Sequence, residues 1–196
     1  MKERISKFVQ AILPAVVVGL MAVPTAHAQE NFVPADTAFR RIERMAPDSI
    51  SGEVLHLNEY LGDKLFRTTI RYKDGVVKVQ EFQSSGVLKG EVVTATDGTT
   101  TITLYTADGK GLFRVTELKN QRVEQKEYRD DGKTLWTSTV LTQSGRLVEY
   151  FDASGRMRVR RAFLPQGVMR VTVLDPQGKT SYTQIWISGI AGYVLS

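Results

Sequence analysis

Apolar and polar side chains alternate residue by residue over most of the chain. Phe66, Thr68, Ile70 and Tyr72 fall on one side of an extended segment, and Arg67, Thr69, Arg71 and Lys73 on the other. Met169, Val171 and Val173 oppose Val168, Arg170 and Thr172 in the same way, and Phe113 and Val115 oppose Leu112, Arg114 and Thr116. A period of two marks a strand with two distinct faces. β-Branched residues, densest at Thr99-Thr100-Thr101-Ile102-Thr103, suit a pleated surface. The pattern predicts strands near 65–73, 76–83, 87–95, 99–106, 111–118, 122–129, 134–141, 146–151, 156–163, 167–174 and 180–187, with one face apolar and the other polar. Arg122 to Glu127 is polar on both sides and reads as a solvated part of the sheet.

Between these segments the chain is punctuated at a nearly constant interval. Glycine falls at 75, 86, 98, 109, 132, 145, 155, 167 and 178, every 10 to 13 residues apart from one double gap centred on Asn120. Turn formers precede each glycine, as in Lys73-Asp74, Thr96-Asp97, Asp130-Asp131, Ala153-Ser154 and Pro176-Gln177. Asp and Ser hydrogen-bond the local backbone, Pro presets its own φ, and Gly or Asn takes the positive φ that closes a hairpin. Four residues ahead of many of the glycines stands a large side chain: Phe82, Tyr105, Tyr128, Leu141, Phe151, Phe163 or Leu174. Such residues end a strand and pack onto its neighbour.

Hairpins in series make an all-β antiparallel meander of about eleven strands. A sheet of that size is expected to twist into a curled open sheet or half-barrel. Ahead of it, Asp36-Thr37 is placed to cap a short N-terminal helix carrying Phe39, Ile42 and Met45, which Pro47 would stop. That helix is expected to lay its apolar stripe on the concave or open face, with 50–57 as an extra first strand. The tail from Gln184 to Ser196, apolar and interrupted by glycine, reads as a last strand with a docked end or, failing that, as an exposed contact patch.

The phrases Tyr150-Phe-Asp-Ala-Ser-Gly-Arg156, Tyr128-Arg-Asp-Asp-Gly-Lys133 and Tyr72-Lys-Asp-Gly75 resemble the aromatic-Asp-Gly-basic units of YD-type repeats and of MORN-like repeats of the YwqK antitoxin type. The resemblance runs from about residue 72 to 182. The units at Thr94-Ala-Thr-Asp-Gly98, Leu141-Thr-Gln-Ser-Gly145 and Leu174-Asp-Pro-Gln-Gly178 depart from it. It implies repeated hairpins that present a surface to partners, and it implies no catalytic residue. In outline the chain is also similar to periplasmic lipoprotein carriers, whose curled sheets hold acyl chains.

Composition adds a compartment. Lys2, Arg4 and Lys7 precede an apolar stretch from Phe8 to Val23, and Ala26-His27-Ala28 supplies small residues at the positions a signal peptidase reads. The expectation is an export signal at 1–28, cleaved before Gln29 or retained as an anchor. Residues 29–64 then hold the short helix and first strand, in one domain with the repetitive sheet at 65–196. The expected location is periplasmic or secreted, either free or tethered to the inner membrane by the leader. The chain has no cysteine, which removes disulfides, thiol catalysis and thiolate metal sites together. Without the leader the formal charge of +5 falls to about +3, too small an excess to imply nucleic acid.

Candidate chemistry is sparse. His27 lies in the leader, and His56, the other histidine, has no His or Cys partner for metal binding or catalysis. Asp130, Asp131 and Asp152 lack the spacing of a calcium loop and read as turn formers. No catalytic residue, cofactor site or metal site is expected. Arg156, Arg158 and Arg160 would project from one side of a strand, about 6.6 Å apart, as a cationic stripe: either a solvated face that guards against edge pairing, or a contact for an acidic partner or anionic lipid headgroups. The expected function is that of a non-enzymatic exported accessory subunit making protein–protein contacts, within a membrane complex or at the membrane surface. The alternative is a periplasmic carrier or sensor for a lipid or other apolar ligand.

Overall fold

The computed structural model describes residues 40–188 and the backbone of 190–195. These form one antiparallel sheet of fourteen strands in strict sequence order: β1 (Arg40–Met45), β2 (Glu53–Leu61), β3 (Lys64–Tyr72), β4 (Val77–Phe82), β5 (Leu88–Thr94), β6 (Thr100–Tyr105), β7 (Leu112–Lys119), β8 (Arg122–Tyr128), β9 (Leu135–Thr142), β10 (Gly145–Phe151), β11 (Met157–Leu164), β12 (Val168–Leu174), β13 (Thr180–Ile187) and β14 (Ile190–Leu195). All eleven strands read from alternation are present. β2 lies slightly later than its expected span, and β14 adds a strand in the apolar tail. The sheet is open: among the described residues β1 and β14 each pair on one side only. The expected leader lies outside the described residues.

The N-terminal helix needs correction where it can be seen. Residues 36–39 lie outside the described residues, but Arg40–Met45 form a strand that pairs with β2 from Arg40↔Leu61 to Met45↔His56. Spacing by three suggested a helix. The open ladder of β2 instead offers six residues regular partners, and local propensity yields to that pairing.

A longer period underlies the punctuation. Phe82, Tyr105, Tyr128, Phe151 and Leu174 recur every 23 residues, and Gly86, Gly109, Gly132, Gly155 and Gly178 follow each of them by four. All five glycines close hairpins at one end of the sheet, with φ from 65° to 84°. The unit is therefore a two-strand hairpin of 23 residues, and its far-end turns keep the same step at 75, 98, 121, 144 and 167. In the hairpin at Asp152 the N–H of Gly155 donates to the Asp152 carbonyl at 3.0 Å, and the N–H of Asp152 donates to the Arg156 carbonyl at 2.9 Å. Only a residue at ease with φ of 76° closes that turn without strain. At the double gap Asn120 and Gln121 take φ of 46° and 66°, so a two-residue turn joins β7 to β8 where no glycine stands.

Successive turns at each end are tied across the 23-residue step. Gln83 donates to the Ala107 carbonyl at 3.0 Å, Arg129 to that of Phe151 at 2.8 Å and Arg156 to that of Pro176 at 3.2 Å. At the other end Lys119 reaches Asp97 at 3.0 Å. The hairpins after Tyr105 and Tyr128 each hold one extra residue, closing from Thr106 to Gly111 and from Arg129 to Thr134. There the backbones nearly touch: a Cβ on Gly111 would lie 2.7 Å from Gly132 Cα, and one on Gly132 would collide with Gly111 in turn.

Register assigns every strand residue to a face. The front face carries Val79, Val92, Ile102, Thr116, Gln125, Thr139, Val148, Arg161 and Val171 along one continuous row. The back face carries Gln80, Glu91, Thr103, Val115, Lys126, Ser138, Glu149 and Arg160. Division into one apolar and one polar face does not hold: each face mixes aliphatic, aromatic and charged side chains. Among the described residues eight of the ten buried side chains lie on the front face between β2 and β10, and only Ile102, Leu104 and Val148 among these are apolar. Contacts join sequence-adjacent strands, and no second layer covers the sheet among the described residues. Ladder hydrogen bonds and cross-strand pairs, each worth about 0.2–1 kcal/mol, therefore carry much of what a two-layer core supplies elsewhere.

Candidate functional site

The three arginines read from the sequence sit at the turn and first half of β11. Arg156 lies in the hairpin itself, where its N–H reaches Asp152 Oδ1 at 3.1 Å and its guanidinium donates to the Pro176 carbonyl. Arg158 Nε is 3.8 Å from Asp152 Oδ2. Arg160 pairs with Glu149, its register partner on β10, at 2.8 Å. The structure thus brings Arg158 and Arg160 to the back face, each with a carboxylate beside it, and places Arg156 in the turn. Charge that the sequence displays as a bare stripe is largely balanced across the strand.

The aspartates of the turns are occupied as well. Asp131 accepts from the backbone N–H groups of Lys133 and Thr134 at 2.9 and 2.8 Å, and from the Thr134 hydroxyl. That hydroxyl, then the two N–H groups, hold its carboxyl down at about 2. The backbone N–H of Thr99, at 2.9 Å, then Lys119, hold the Asp97 carboxyl well below the usual range. Asp152 is lowered by the Ser154 hydroxyl and the Arg156 N–H. Among the described residues no group of three His, Cys, Asp or Glu side chains converges to hold a metal. His56 lies 3.2 Å from Glu53 Oε2 within its own strand.

Three arrangements set by register have no counterpart in the linear pattern. The first is a charged ladder on the front face. Arg67 stands between Glu59 and Glu81 in register, donating to Glu81 at 2.7 Å and lying 3.9 Å from Glu59, which also meets Arg40. Glu59 and Glu81 are buried, so two carboxylates are held in the sheet by arginines from neighbouring strands. Arg114, Glu127 and Thr137 form a second such group, at 2.8 and 3.0 Å.

The second arrangement is on the back face, where the two extended hairpins meet. Phe113, Tyr128 and Trp136 line a shallow depression of about 330 Å³ rimmed by Arg129 and Asp130. Phe113 and Trp136 are 41% and 48% exposed, far above what large rings show in a closed core.

The third lies on the front face of β9 to β13. Leu141, Arg146, Phe163, Met169 and Trp186 follow one another in register across five strands. Two residues away run Thr139, Val148, Arg161, Val171 and Gln184, then Thr137, Tyr150, Val159, Val173 and Tyr182. The Arg146 guanidinium lies 4.2 Å from the centre of the Phe163 ring, and that of Arg161 lies 5.1 Å from the Tyr150 ring. Leu141, Tyr182 and Trp186 remain exposed.

The chain matches no known family model, and no curated protein matches it.

Proposed function

We propose that the chain is a non-enzymatic, exported accessory subunit that works by protein–protein contact, held at the outer side of an inner membrane by its leader or by its partners. The observation that carries this reading is the single-layer sheet. A domain ordinarily buries a sheet face against another layer, yet here large side chains stand exposed on both faces, Leu141, Tyr182 and Trp186 on the front and Phe113 and Trp136 on the back. Exposed apolar groups gathered in patches mark interaction sites. Asp97, Asp131, Asp152 and Asp175 in the turns accept backbone N–H groups, and Glu59, Glu81, Glu127 and Glu149 on the strands pair with arginines, which favours a structural role for them over acid–base chemistry.

The test is purification of the tagged full-length chain from its native membrane in mild detergent, with mass spectrometry of accompanying proteins and lipids. One or more protein partners in fixed stoichiometry are expected. Extractable lipid without any protein partner would overturn this reading in favour of the carrier.

A further inference from the structure

We infer that the front face of β9 to β13 is the docking surface for a partner protein whose complementary face is acidic and apolar. This deepens the accessory-subunit reading and rests on it. The fifteen front-face positions of these strands, three register rows by five strands, hold Arg146 and Arg161 but no Asp, Glu or Lys. They also hold Tyr150, Phe163, Met169, Tyr182 and Trp186. Enrichment in aromatic residues, Met and Arg, with depletion of Lys, Glu and Asp, separates the centre of a protein interface from ordinary surface.

The charge on this face selects the partner. The sheltered arginines of the front face are matched, Arg67 by Glu81 and Glu59, and Arg114 by Glu127, whereas Arg44 and Arg71, exposed near the first edge, stand without a carboxylate among the described residues and without a ring cluster around them. Arg146 and Arg161 lie over rings and meet no carboxylate among the described residues. Covering them with an apolar layer alone would strip water from two cations without compensation. A partner carboxylate against each guanidinium edge satisfies them while the rings keep their stacking. A second copy of this face would set arginine against arginine, so self-association through it is disfavoured. Among the described residues the sheltering of the front face stops at Val148, the last buried one, which leaves these strands open to an outside partner.

The test is photo-crosslinking in the cells that make the full chain. A benzophenone amino acid replaces Leu141 or Tyr182 on the front face, and Arg170 or Trp136 on the back. Expected is an adduct with one protein species from both front positions, a species that bears an acidic surface. That adduct falls about tenfold or more in Arg146→Glu/Arg161→Glu and survives in Arg146→Lys/Arg161→Lys. If the double reversal does not fold, Leu141→Glu at an exposed position supplies the same repulsion, with the adduct then read from Tyr182. Protein adducts from the back positions alone would overturn this inference and leave the accessory-subunit reading standing. No protein adduct from any position would overturn both. Front-face adducts indifferent to charge reversal would contradict an acidic partner. Flotation with phosphatidylglycerol vesicles, abolished by Arg146→Gln/Arg161→Gln, would assign the face to a membrane instead.

Discussion

Gly132 and Gly155 occupy the same place in two hairpins and have different surroundings. Both have positive φ, but nothing lies within 4 Å of a Cβ built on Gly155, whereas one on Gly132 runs into the Gly111 backbone. Gly155→Ala should cost the left-handed penalty alone, about 1–2 kcal/mol. Gly132→Ala should cost more than about 3 kcal/mol in urea unfolding, because two hairpins must separate. Equal costs would show that the close approach is not maintained in solution. Asp131 offers a second local test. Its carboxyl is lowered from the ordinary 3.8 to about 2 in the folded chain, so its contribution is fully present above about pH 4 and disappears as pH falls through 2. Asp131→Asn should lower stability at neutral pH and flatten the acid limb of the profile in that window, so that the two proteins converge as pH falls below about 2.

The Arg67 ladder belongs to the scale of elements, since it joins β2, β3 and β4. Arg67→Ala leaves Glu59 and Glu81 in a sheltered face with one cation removed. The expected loss is about 2–3 kcal/mol, below that of a fully buried pair because Arg67 keeps 31% of its side chain exposed. Replacing Glu59, Arg67 and Glu81 together by Leu, Met and Leu should recover most of that loss in the same urea titration. None of this was legible in the sequence, where Arg67 and Glu81 are 14 residues apart and only register makes them neighbours. The strands themselves were legible, because alternation and turn chemistry are local. The 23-residue unit was hidden because its two turns use the same residue types and merge into one beat of 11 or 12. Segment 40–45 misled for a related reason: Ile42 and Met45 are spaced like a helix stripe, and the pairing that makes them a strand comes from β2. Arg156, Arg158 and Arg160 drew notice by their contiguity, yet Asp152 and Glu149 already stand beside Arg158 and Arg160. Arg146 and Arg161, separated in the chain by a turn, share a front face only once β10 and β11 have been laid in register.

At the scale of the whole sheet, a hairpin repeat stacked in sequence order explains how so long a meander stays in register. Each unit contacts its neighbours and is tied to them at both ends, so stability accumulates along the array. What such an array does not supply is a second layer, and the account rests on both faces being open in the isolated chain. The two tryptophans report this directly, since Trp136 lies on the back face and Trp186 on the front. In Trp186→Phe and Trp136→Phe variants the remaining indole should be readily quenched by acrylamide, with red-shifted emission, as exposures of 48% and 41% require. An indole that resists quenching and emits to the blue in the purified, partner-free protein would mean that its face is already covered, and would contradict the reading of this sheet as a docking surface.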